Sequence, residues 1–152
     1  MRQFSFLFFV VVVLVSTVAS AQGWNPEFRG KLEEEIRAND ARAAELGPII
    51  ARNEHARDDC IRDFQQLSAE ARGMRDRAHW FREGANRTMG RFREHLVHQA
   101  DDLDKNAQRN EQLAATESNM RDQLNALIIS LNELRTWHIE TSRQLHASLE
   151  WR

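Results

Sequence analysis

Between Cys60 and Phe92 the side chains that avoid water recur in alternating steps of four and three residues: Cys60, Phe64, Leu67, Ala71, Met74, Ala78, Phe81, Ala85, Thr88 and Phe92. Only Thr88 interrupts the run, and nearly every residue between these positions is charged or polar. That spacing holds a narrow stripe on one side of an α-helix, as a coiled-coil seam requires. A stripe of this kind must be covered by another helix, from the same chain or from another copy.

The residues on either side extend the pattern. Asn25-Pro26-Glu27 is a helix start, with Asn25 as cap and Pro26 in the first turn, where a missing N–H costs nothing. Glu33, Glu34 and Glu35 sit near that start, where the helix dipole favours anions. Phe28, Leu32, Ile36, Ala43 and Leu46 fall on one face, and Gly47-Pro48 is expected to end this first helix. The four-three register nevertheless runs backwards across it through Leu46, Ala43, Asn39, Ile36 and Leu32, so a kink is the alternative.

Beyond Phe92 the phase slips through Leu96, Ala100, Leu103 and Ala107. The polar stretch 106–110 is a possible loop, although nothing in it stops a helix. A second seam is expected through Leu113, Glu117, Met120, Leu124, Leu127, Leu131, Leu134, His138, Thr141 and Leu145. Ile128 and Ile129 widen it, and Trp137 and Trp151 add apolar area near the end. A stripe that wide suits a helix touching more than one neighbour.

Residues 84–90 contain Gly84 and Gly90, each of which weakens a helix by roughly 1 kcal/mol relative to Ala. Two structures are open here: a hairpin turn, or one long helix with a soft spot. Charge favours the hairpin. From Arg72 to Arg93, seven arginines face only Asp76 and Glu83, whereas Glu94 to Asp122 is rich in acids and has only Lys105, Arg109 and Arg121 as bases. Folding one stretch onto the other neutralises both, as does antiparallel or staggered packing between chains. Such exposed pairs select register more than they stabilise.

Composition supports an all-helical chain. There is no Tyr, Pro occurs only at Pro26 and Pro48, and Val after the N-terminal region only at Val97. Ala, Leu, Arg, Glu and Gln dominate, which are good helix formers. The N-terminal residues read differently: Arg2, an apolar run from Phe4 to Val15, then small residues from Ser16 to Ala21. This is the order of a secretory signal peptide over residues 1–21, cleaved after Ala21, with a retained membrane anchor as the competing reading. Residues 22–152 then form one helical domain whose charges nearly cancel, so bulk attraction to nucleic acid is not expected.

Candidate chemistry is sparse. Cys60, the single cysteine, is either a small buried residue or, in a parallel in-register dimer, an intermolecular disulfide. Asn86-Arg87-Thr88 fits the N-glycosylation sequon, with Asn86 as acceptor. His95 and His98 lie near Glu94, Asp101 and Asp102, but no second cluster of comparable spacing completes a metal site, and solvated helix residues are the simpler account. His138 on the second seam is a polar interruption whose charge changes near neutrality. The arginines around Trp80, Phe81 and Phe92 superficially suggest a nucleic-acid patch, but the seam already requires both phenylalanines. No phosphate loop, nucleophile context or paired catalytic carboxylates stand out, so no catalytic residue, cofactor or metal is expected.

The expected fold is all-α, long amphipathic helices forming a coiled coil or antiparallel bundle after the signal peptide. The expected function is a secreted, non-enzymatic structural or interaction protein that self-associates, or pairs with another helical protein. Its contacts are expected at Phe64, Leu67, Met74, Phe81, Phe92, Leu124, Leu127, Leu131 and Leu134. The alternatives are a small bundle binding an apolar ligand or a receptor, and a signal-anchored subunit of a membrane complex. In architecture alone, the plan of a signal peptide followed by helical seams is similar to that of secretory-granule matrix proteins, those of trichocysts among them, and of many extracellular coiled coils.

Overall fold

The computed structural model describes residues 26–150. The expected signal peptide, the lead-in to Asn25 and the terminal Trp151 lie outside them. Two long helices account for nearly all of the described chain: α1, Pro26–Asn86, and α2, Arg91–Glu150. By packing, the chain divides into two units, one of residues 46–133 and one that joins the segment before Leu46 to the segment from Leu134 onward.

The 46–133 unit is an antiparallel helical hairpin closed by a turn at residues 87–90. The backbone N–H of Arg87 donates to the Gly84 carbonyl at 3.1 Å and that of Thr88 to the Ala85 carbonyl at 3.3 Å. The Thr88 hydroxyl donates to both carbonyls as well, each at 3.3 Å, so the end of α1 satisfies carbonyls it would otherwise leave unpaired. Gly90 has φ +67°, a left-handed conformation that glycine adopts without the steric cost a Cβ brings. Its carbonyl accepts from the Glu94 N–H at 3.4 Å as α2 begins.

Cross-helix pairs fix the register of this hairpin. Arg75 grips Glu111 with both ends of its guanidinium, at 2.8 and 2.7 Å. Arg82 reaches Asp101 at 3.1 Å and Asp104 at 2.5 Å, and the Asn110 amide donates to Glu70 at 3.1 Å. These links join the arginine-rich stretch to the acid-rich one. From Arg82 to Arg75, away from the turn on α1, the acidic partners move from Asp101 and Asp104 to Glu111, away from the turn on α2, which is the antiparallel sense.

The core of the hairpin is made largely of alanine. Ala71, Ala78 and Ala85 on α1, and Ala100, Ala107 and Ala114 on α2, are buried, with Ala78, Ala100 and Ala107 at 0% exposure. Each set repeats every seven residues. Small side chains there let two helix axes approach toward the short end of the packing range, about 8 Å. Around the alanines, Leu67, Met74 and Phe81 of α1 and Leu103, Leu124 and Leu131 of α2 are half-buried.

In the other unit, Leu32, Ile36, Asn39 and Ala43 of α1 and His138 and Ser142 of α2 are buried. Its fixed point is polar: His138 Nδ1–H donates to Asn39 Oδ1 at 2.8 Å, while the Asn39 amide donates to the Glu35 carbonyl at 2.9 Å.

Three expectations need correction. The helix does not end at Gly47-Pro48, because α1 runs through it with Pro48 inside. An interior proline loses a backbone hydrogen bond and costs about 3 kcal/mol. Here Pro48 is exposed while Ala43 and Ile50 are buried to either side of it, so the helix keeps its inward face through the defect. The stretch 106–110 is helical, not a loop. The phase slip beyond Phe92 also disappears. Phe92 is exposed, and from Leu96 the inward residues Ala100, Leu103, Ala107, Asn110 and Ala114 keep the four-three spacing unbroken.

Candidate interaction surface

Of the second seam expected on α2, the row Glu117, Leu124, Leu131 and His138 is buried or half-buried, and the row Leu113, Met120 and Leu127 is displaced by one position. Ala114 and Ile128 are buried, whereas Leu113 and Leu127 just before them, and Met120 midway, are 46, 45 and 45% exposed. One residue along a helix is a rotation of about 100°, so both rows keep seven-residue spacing but point to different sides. The alanine row faces α1. The leucine–methionine row stands beside the seam, about half exposed among the described residues.

The two flanks of the hairpin therefore differ. Arg75, Arg82, Asp104 and Glu111 each sit one or two positions past a half-buried residue of the seam, and all four are held in the cross-helix ion pairs. Leu113, Met120 and Leu127 on α2, like Ile49 on α1, precede a buried residue or its heptad equivalent and so occupy the opposite flank. One flank is closed by charge; the other presents large apolar side chains at coiled-coil spacing.

The remaining candidates fall in several places. Leu67, Met74, Phe81, Leu124 and Leu131 are half-buried along the hairpin seam. Phe64 is at the border of exposure, Phe92 stands outward near the turn, and Leu134, in the other unit, is also exposed. Phe92 lies beside Met89, the most exposed large apolar residue described. Trp80 stacks edge-on against Phe81 with ring centroids 5.1 Å apart.

Cys60 is free and only 6% exposed. Burial raises its thiol pKa, and the neighbouring Glu117 carboxylate of α2 raises it further. The thiol thus faces the chain's own second helix, and for it to reach a second Cys60 the hairpin must open. Asn86 is the exposed last residue of α1, at the turn. His98 approaches Asp102 at 3.6 Å on the same exposed helix face. Among the described residues no group of three or more His, Cys, Asp or Glu comes together as a metal site, and no helix is long and apolar enough to cross a membrane.

What sequence reasoning missed was the continuation of the alanine row through Ala114. Its signal was the heptad spacing Ala100, Ala107 and Ala114, but Leu113, one position away, carried more apparent hydrophobicity. No family model matches the chain, and neither the curated proteins nor the solved structures contain a significant match to it.

Proposed function

We propose that this is a secreted, non-enzymatic structural or interaction protein whose helical hairpins self-associate. The observation that carries the proposal is the row Leu113, Met120 and Leu127, large apolar side chains at seven-residue spacing that the hairpin leaves about half exposed. Burying such side chains yields about 25 cal/mol per Å² of apolar surface, and contiguous exposed apolar patches on soluble proteins mark contact sites. Secretion rests on the order of Arg2, the apolar run and the small residues up to Ala21.

The test is the solution mass of residues 22–152 over a range of concentrations. An assembly larger than one chain is expected, and Leu113→Asp with Leu127→Asp should return it to a monomer with helicity intact. A wild-type chain that stays monomeric at every concentration overturns self-association; avid uptake of a hydrophobic probe by that monomer would point to the apolar-ligand alternative. N-terminal sequencing of the native protein tests export: Gln22 first indicates cleavage, and Met1 first indicates a retained anchor.

A further inference from the structure

We infer that the apolar flank of α2 receives the same flank of a second copy, antiparallel, about a two-fold axis at Asn119–Met120; this rests on the self-association proposed above. Leu113 and Leu127 are equidistant from Met120, so such an axis places Met120 on its own copy and each leucine on the other leucine of the partner. A two-fold interface has this property, one patch meeting itself with residues exchanged.

The uncharged residues bordering the row favour the same geometry. Gln112, Thr116, Asn119, Gln123, Ala126 and Ser130 lie outward of it, are exposed and carry no charge, in a chain that is 29% charged. No charged residue therefore lies on this outward border between Gln112 and Ser130. Charge returns at the ends with opposite sign, Lys105 on one side and Glu133 on the other, equidistant from Asn119 on the same outer line of the helix. Antiparallel pairing sets each Lys105 against Glu133 of the copy, whereas parallel in-register pairing sets like charges at the same height, which selects orientation. The Asn119 side chain forms no hydrogen bond among the described residues; on the axis its amide meets an identical amide, and each can donate and accept.

Introduced cysteines test the geometry in the full mature chain carrying Cys60→Ala, so that only the new thiols can link. Under mild oxidation Met120→Cys should form a disulfide-linked dimer by itself. Leu113→Cys and Leu127→Cys should each stay unlinked alone and link to one another when mixed. Self-linking of Leu113→Cys and of Leu127→Cys overturns the antiparallel axis in favour of parallel pairing. A chain whose measured mass is oligomeric but in which none of these thiols link overturns the choice of face while leaving self-association standing. A monomeric mass before oxidation overturns both.

Discussion

Asn39 and His138, 99 residues apart in the chain, share a buried hydrogen bond of 2.8 Å between the two helices. Both are among the most buried polar residues described, His138 at 7% exposure. With its Nδ1–H committed to Asn39, the imidazole must take any further proton on Nε2. Burial lowers the pKa of His138, and the nearby Arg42 charge lowers it further.

The sign of the pH effect follows. The unfolded chain binds the proton at the ordinary value near 6.5, the folded chain only at lower pH. The contribution of His138 is therefore fully present above 6.5 and is lost as pH falls from there through the folded pKa. The unfolding free energy, followed through the melting temperature, should drop on acidification below 6.5, by at most about 1.4 kcal/mol per pH unit from this one group. His138→Leu together with Asn39→Leu should flatten that dependence, whereas Asn39→Leu alone should cost about 1–3 kcal/mol by leaving the ring N–H unpaired. Thermal melts at several pH values distinguish these outcomes.

The alanine seam should not tolerate enlargement. Ala78→Leu or Ala107→Leu forces apart helices that meet over fully buried methyl groups, at a cost of about 1–3 kcal/mol. Leu113→Ala, on the exposed flank, should leave the stability of a single hairpin nearly unchanged. Urea unfolding at a concentration below that of association is the measurement; equal losses at the two rows would contradict the assignment of the inner face.

Arg75 and Glu111 should be exchangeable. Their bidentate contact raises the arginine pKa and lowers the carboxyl pKa through the shared hydrogen bonds and charge. Arg75→Glu should lower the melting temperature by placing like charges together. Adding Glu111→Arg should recover it, with the difference shrinking at high salt. No recovery in the double variant would mean the pair does not set the register.

The two glycines near the turn should respond in opposite directions. Gly84 is helical, and a Cβ there would meet Leu96 Cδ1 of α2 at 3.6 Å, an ordinary contact. Gly84→Ala should stabilise by up to about 1 kcal/mol. Gly90→Ala should destabilise by about 1 kcal/mol or more, because φ +67° suits glycine and strains alanine. Melting temperatures of both variants decide the matter.

Cys60 should react slowly with thiol reagents in the native protein and rapidly once unfolded, since the thiolate is the reactive form and its pKa is raised here. The solution mass should then be the same with and without reductant. A reductant-sensitive dimer of wild-type chain would mean the seam opens readily enough for Cys60 to meet its copy.

Much of this molecule could be read from residue order. Except at Phe64, which is at the border of exposure, the four-three spacing from Leu32 to Ala85 is that of the buried and half-buried face of α1, and the arginine-rich and acid-rich stretches do meet across the turn. Gly47-Pro48 misled because a local helix breaker was weighed without the inward residues on each side that α1 keeps in line. Leu113, Met120 and Leu127 misled because summed hydrophobicity cannot tell a row that packs within the chain from one that faces away.

Residue order by itself determined helicity, periodicity and a favoured place for the turn, since each depends on propensity, spacing and net charge along a local stretch. Only the tertiary structure decided which of two adjacent rows on α2 faces α1. Both rows obey the same period, one residue and about 100° apart, so periodicity is indifferent between them. Close approach of two backbones favours the side with the smallest side chains, Ala100, Ala107 and Ala114, and the pairs formed by Arg75 and Arg82 are made in that orientation. The larger residues are left for a different contact.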